Sequence, residues 1–192
     1  MLFRSFAGTV TGDTFRCGYC QDLHFNFSRA VAAVRAEGVA RTAIHKLKYE
    51  RALFFVPHLA EWLAGAGQRW LDWRTVDGIV PVPLHPRKER HREFNQARLL
   101  AEALGKSVGV PVIHHAVRRV RDTATQTRLG REERQRNLRG AFAVRRAEVL
   151  AGKRLVLVDD VFTTGMTLDA CAKVLRIAGA VDVMALTVAR GM

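Results

Sequence analysis

The segment Arg154 to Leu175, RLVLVDDVFTTGMTLDACAKVL, limits what this chain can fold into more than any other. Leu155-Val156-Leu157-Val158 is an aliphatic run without polar alternation, the pattern of a strand covered on both faces. It ends in two adjacent carboxylates, Asp159 and Asp160, and then in the small-residue turn Thr163-Thr164-Gly165-Met166-Thr167, which opens a helix. Like charges side by side repel, and neither belongs in an apolar core. A polar strand end before a capped helix would explain the threonines but not two consecutive aspartates. A sugar-phosphate site explains both, since carboxylates accept hydrogen bonds from sugar hydroxyls. The turn then offers hydroxyls, free helix N–H groups and a glycine to a phosphate.

The rest of the chain is read around that strand. Residues 28 to 68 have a helical period, Ala-rich and broken at Gly38, with Pro57 at a kink or first turn. VDGIVPVPLHP reads as a short strand entering a proline-bounded loop. NQARLLAEALGKSVG reads as an amphipathic helix with Ala97, Leu100, Ala101 and Leu104 on its apolar face. VPVIHHAV and GAFAV are further strand candidates. KRLVLVDDV is a strand, MTLDACAKVLRIAGA a helix closed by Gly179, and VDVMALTVAR a final strand. Strand and helix in alternation predict an α/β fold with a parallel, helix-covered sheet. Arg118 to Arg139 is dense in arginine and poor in large apolar side chains, so it is expected to form a mobile arm or an exposed helix.

Composition bounds function. The chain has 192 residues and a net charge of +13, which favours polyanionic partners, nucleic acid or a phosphorylated small molecule. No apolar run reaches the ~18–20 residues of a membrane span, and the start of the chain lacks a signal-peptide pattern; a cytoplasmic location is expected. Cys17 and Cys20 form a C-x-x-C, but a structural zinc needs four ligands and this pair offers only two.

LVLVDDVFTTGMT resembles the phosphoribosyl pyrophosphate (PRPP) motif of type I phosphoribosyltransferases: a hydrophobic strand, two acids and a T-T-G-x-T loop. Further stretches are similar to the ComF family of competence-associated phosphoribosyltransferase-like proteins. They are Pro81 to Leu84, Arg92 to Ala97, His45 to Tyr49, Thr123/Gln126/Leu129 and Arg134/Asn137/Phe142. The resemblance implies a type I phosphoribosyltransferase-like parallel sheet with a flexible hood and an N-terminal helical segment carrying a remnant cysteine pair. It divides the chain into a zinc-ribbon-like remnant at 1–27 and a phosphoribosyltransferase-like domain at 28–192.

By the same resemblance, Asp159 and Asp160 hold the ribose hydroxyls and serve as the catalytic acids. Thr163, Thr164, Gly165, Met166 and Thr167 wrap the 5′-phosphate. Pro83, Leu84, Arg87, Lys88 and Arg92 form the pyrophosphate loop, and Thr123, Gln126, Arg134 and Asn137 lie in the hood. Mg²⁺ is the implied cofactor with PRPP. Zn²⁺ is implied only for a full cysteine module, of which Cys17 and Cys20 would be half. The implied partners are PRPP and single-stranded DNA or the competence machinery. A DNA-binding protein or a PRPP-sensing regulator on the same fold is the competing expectation to an enzyme. Two departures from the family pattern stand out: Glu93 replaces the usual glycine after Arg92, and a single C-x-x-C stands where two are usual.

Overall fold

The computed structural model describes residues 2–5, 24–122, 138 and 140–191. Five parallel strands form one sheet in the order β1-β2-β7-β6-β3: β1 Leu2–Ser5, β2 Arg29–Arg35, β3 Gly78–Pro81, β6 Arg154–Phe162 and β7 Asp182–Arg190. A separate antiparallel ribbon joins β4 (Val117–Arg119) to β5 (Phe142–Val144). The helices are α1 Gly38–Glu50, α2 Phe55–Trp70, α3 Pro86–Arg92, α4 Gln96–Val108 and α5 Met166–Ile177. No helix among the described residues is long and apolar enough to cross a membrane.

Two apolar layers follow from the two-residue period of β6. Val156 and Val158 pack with Ile44, Leu47, Leu59, Leu63, Leu100 and Leu104, the apolar stripes of α1, α2 and α4. Leu155 and Leu157 pack on the opposite face with Leu168, Cys171 and Leu175 of α5 and with Val117 and Phe142 of the ribbon. Both halves of the expected aliphatic run are fully buried, as a central parallel strand requires.

Two expectations from the sequence need correction. The Ala-rich stretch before Gly38 is not helix: Arg29–Arg35 is strand β2, hydrogen-bonded between β1 and β7. A strand buried on both faces lacks polar alternation, so its composition reads like that of a buried helix, and pairing overrides alanine's helix propensity. The helix begins at Gly38, so the N-terminal segment is strand-led before it is helical. VPVIHHAV also does not form a full strand; Val112 makes a single parallel bridge to Ile79 before the chain turns at His114 and His115.

The topology places a crevice. From β3 the chain runs through α3 and α4 outward to Val112, whereas from β6 it runs through α5 back to β7. The connections diverge between β3 and β6, and such switch points open a cleft at the carboxyl ends of the strands.

Candidate functional site

Strand β6 outruns its neighbour at that cleft. Pairing with β3 ends at Pro81↔Val158 and one further bond from Val82 N–H to the Val158 carbonyl, while pairing with β7 continues to Phe162↔Arg190. Asp159 and Asp160 therefore sit where one edge of β6 is open. The Asp160 N–H, left by β3, donates to Asp159 Oδ1 at 2.9 Å.

Alternation along the strand also separates the two acids. Asp160, on the side of Val156 and Val158, is nearly fully buried and meets Lys48 of α1, whose Nζ lies 2.6 Å from Asp160 Oδ2. Burial alone would lower the Lys48 ammonium, but the Asp160 charge and hydrogen bond outweigh it and hold lysine above its ordinary value. Asp159 belongs to the other face, where Arg119 of β4 and Cys171 of α5 feel its charge. Burial first, and the Asp160 charge second, push Asp159 up to about 7 from 3.8, against the pull of Lys48 and Arg119. Burial likewise raises the Cys171 thiol well above its ordinary value, so it is a packing group rather than a nucleophile.

The turn after β6 is built for a close approach. Thr163 is exposed and Thr164 half-buried, while Met166 and Thr167 already belong to the first turn of α5. Gly165 precedes that helix with φ +77°, and a Cβ there would lie 2.7 Å from the Phe162 ring and 3.1 Å from Phe25. Only glycine meets both demands. The turn thus delivers helix N–H groups beside the carboxylates. Asp169, also in that first turn, is already engaged by the Asn26 backbone at 2.6 Å and by its side-chain amide at 2.9 Å.

The segment after β3 is only partly a loop. Pro83 and Leu84 lie in the connection, whereas Arg87, Lys88 and Arg92 are carried on α3. Arg87 reaches Asp122 at 3.4 Å, linking α3 to the base of the arginine-rich arm. Lys88 is part-buried, and burial and then Arg119 lower its pKa. Arg92 covers the Tyr49 ring at 5.4 Å and bonds Gln96. Glu93 caps α3 at φ +69°, a conformation that a glycine adopts freely, and pairs with Arg51, itself at φ +55°, at 2.8 Å. The substituted carboxylate is thereby turned onto a partner. Asn95 ties this segment together: its amide donates to the Val82 carbonyl at 3.0 Å and its oxygen caps the Ala97 N–H at 3.0 Å.

The structure therefore gathers Asp159, Asp160 and the turn 163–167 at one strand end. It adds Lys48 and Arg119, which had not been singled out as partners of those acids. The stretch His45 to Tyr49 carried the only signal for Lys48, through its resemblance. The bases of the arm form the β4–β5 ribbon, while Thr123, Gln126, Arg134 and Asn137 lie outside the described residues, as do Cys17 and Cys20.

A helix-covered parallel sheet with this strand end defines a protein of the phosphoribosyltransferase fold, and the family profile described as phosphoribosyl transferase domain matches residues 95–192. Within that class the chain belongs to the ComF family. It is 31% identical to Competence protein F of Haemophilus influenzae, across 91% of this chain and 78% of that protein. It is 34% identical to the DNA utilization protein YhgH of Salmonella typhimurium, across 87% of this chain and 74% of that protein. With Competence protein ComFC of Bacillus subtilis the identity is 32%, over 50% of this chain and 37% of that protein.

Proposed function

We propose that the chain binds PRPP with Mg²⁺ at the carboxyl ends of β6 and β3 and acts in the cytoplasm as a phosphoribosyltransferase-type protein serving DNA uptake. The observation that carries the reading is the open end of β6, where two acids lead directly into the glycine-entered N-terminus of α5. The ribose hydroxyls would donate to Asp159 and Asp160, and the 5′-phosphate would accept from the turn Thr163 to Thr167. Two carboxylates beside a polyanion would ordinarily repel it. Lys48, 2.6 Å from Asp160, and Arg119 near Asp159 offset that charge.

Among the described residues no cluster of three or more His, Cys, Asp or Glu is placed to hold a metal alone. Two carboxylates suit a Mg²⁺ that arrives on pyrophosphate oxygens and keeps its waters. When bound, the ion would offset charge on the departing pyrophosphate. The residues of α3, Arg87, Lys88 and Arg92, stand on the side of the cleft where that group would leave, and the arm would exclude water.

The names of the relatives, competence and DNA utilization, support the link to DNA uptake. So does the net charge of +13, which suits a polyanionic partner. A PRPP sensor on this fold would bind the same ligand without turnover.

Titration of the purified chain with PRPP by calorimetry, with and without Mg²⁺, tests the reading. One-site binding that requires Mg²⁺ and weakens about tenfold or more in Asp160→Asn is expected. Unchanged affinity in that variant would remove the ribose assignment. Affinity for single-stranded DNA measured between about 50 and 200 mM salt addresses the second ligand: a steep fall supports a phosphate-binding surface, and a flat response counts against it.

A further inference from the structure

One oxygen at the end of β6 is already covered by a cation of the protein's own. Lys48 Nζ lies 2.6 Å from Asp160 Oδ2, and the two side chains are only 20% and 6% exposed. Asp160 Oδ2 is itself buried from solvent, so with Lys48 in place a hydrated ion has no approach to it. Asp159 Oδ1 is engaged as well, accepting the Asp160 N–H at 2.9 Å. We propose that Lys48 holds the place of a divalent cation on Asp160 until a sugar phosphate draws its ammonium away toward Arg92; the ligand-driven step rests on the phosphoribosyl reading above.

The contact itself supplies the exclusion. An ammonium touching a buried carboxylate oxygen occupies the lone pairs that a metal would need. Mg²⁺ gives up its waters reluctantly, so it does not enter where a charged side chain fills the way in. The release is supplied by a second cation. Arg92 of α3 stands near enough for its charge to oppose that of Lys48. Arg92 is also held in place, over the Tyr49 ring at 5.4 Å and bonded to Gln96. The ends of α1 and α3 are tied, because Arg51 meets both carboxylate oxygens of Glu93 at 2.8 Å. An anion close to Lys48 and Arg92 is attracted by both and relieves the repulsion between them.

The side chain suits the exchange. Ile44 and Leu47 fix α1 to the core, so the flexible stem of Lys48 can swing while its helix stays. A lysine is a compact point charge that releases a carboxylate readily, whereas an arginine fork in its place would grip both oxygens. Asp160 is thereby opened only when the anion that carries the metal is at hand, and the paired acids do not collect stray divalent ions beforehand.

Mn²⁺ alone, followed by electron paramagnetic resonance on the full chain, reads whether Asp160 is open to a divalent ion. Lys48→Met is expected to bind Mn²⁺ about tenfold or more tighter than the wild type. Lys48→Met combined with Asp160→Asn is expected to return to the wild-type affinity, and Lys48→Arg to stay there. Lys48→Met breaks a buried pair, so Asp160→Asn alone provides a check that does not depend on its folding. An acid already covered contributes nothing to Mn²⁺ affinity, so Asp160→Asn and the wild type are expected to agree within about twofold. A loss of about threefold or more in Asp160→Asn, or a folded Lys48→Met that leaves Mn²⁺ affinity unmoved, would overturn the proposal. Calorimetry with PRPP on the same samples keeps the two readings apart. PRPP bound with Mg²⁺, beside an Mn²⁺ affinity indifferent to Lys48→Met, overturns the role of Lys48 alone. Mn²⁺ tightened by Lys48→Met with no PRPP bound upholds Lys48 as the guard of Asp160 and overturns the phosphoribosyl reading.

Discussion

At the residue scale, single side chains hold together parts that lie far apart in the chain. Asn95 joins the Val82 carbonyl, at the exit of β3, to the first turn of α4. It is buried, so both of its hydrogen bonds replace lost water. Asn95→Ala is expected to lose about 2 kcal/mol in urea unfolding, the cap contributing roughly half. Asn95→Ser keeps a capping oxygen but cannot reach the Val82 carbonyl, and should fall between the wild type and Asn95→Ala. Equal losses in both variants would show that the cap contributes nothing. Lys48 acts in the same way for α1 and β6. Breaking such a buried pair typically costs about 3–5 kcal/mol, since the remaining charge is left without a partner. Glu93 shows the opposite case. Its left-handed backbone costs about 1–2 kcal/mol relative to glycine, and its exposed pair with Arg51 offsets only part of that.

At the element scale, the junction of β6 and α5 is the unit that matters. Phe162 ends the strand facing the core, and Gly165 reverses direction against its ring. The helix begins one residue later, with its free N–H groups beside the acids. Gly165→Ala meets both a left-handed φ of +77° and a 2.7 Å approach to the Phe162 ring, which has no flexible end to yield. The variant is expected to lose about 2 kcal/mol or more of stability and, with it, the register of the turn between β6 and α5. Urea unfolding with parallel PRPP titration checks both. A variant as stable as the wild type would mean that the turn has room to rearrange.

For the whole molecule, the buried charge at the end of β6 couples stability to pH. Asp159 titrates near 7 in the folded protein, against an ordinary 3.8, because burial and then Asp160 disfavour its ionised form. Between about pH 4 and 7 the folded state therefore holds a proton that the unfolded chain has released, and stability falls as pH rises through that window. The residue keeps some exposure at the open edge of β6 and Lys48 and Arg119 oppose the shift, so the loss is expected to be about 1–2 kcal/mol. Melting temperatures from pH 4.5 to 8 should decline for the wild type more than for Asp159→Asn. Parallel profiles for the two proteins would contradict the raised value.

Much of this was legible along the chain. Residues 154 to 177 form a contiguous strand, turn and helix whose apolar period, paired acids and glycine all act locally. The same holds for α4, whose Ala97, Leu100, Ala101 and Leu104 are all fully buried as their spacing required. Periodicity failed at Arg29–Arg35, because a strand buried on both faces and a buried helix present the same small apolar residues, and only pairing with β1 and β7 distinguishes them. The chain alone determined which segment carries the acids and the glycine turn that enters a helix, because those features depend on neighbours a few residues away. Only the tertiary structure decided that Lys48 meets Asp160 and that Arg119 stands near Asp159. Those contacts join segments whose relative positions are set by the strand order of the sheet, which no local pattern encodes.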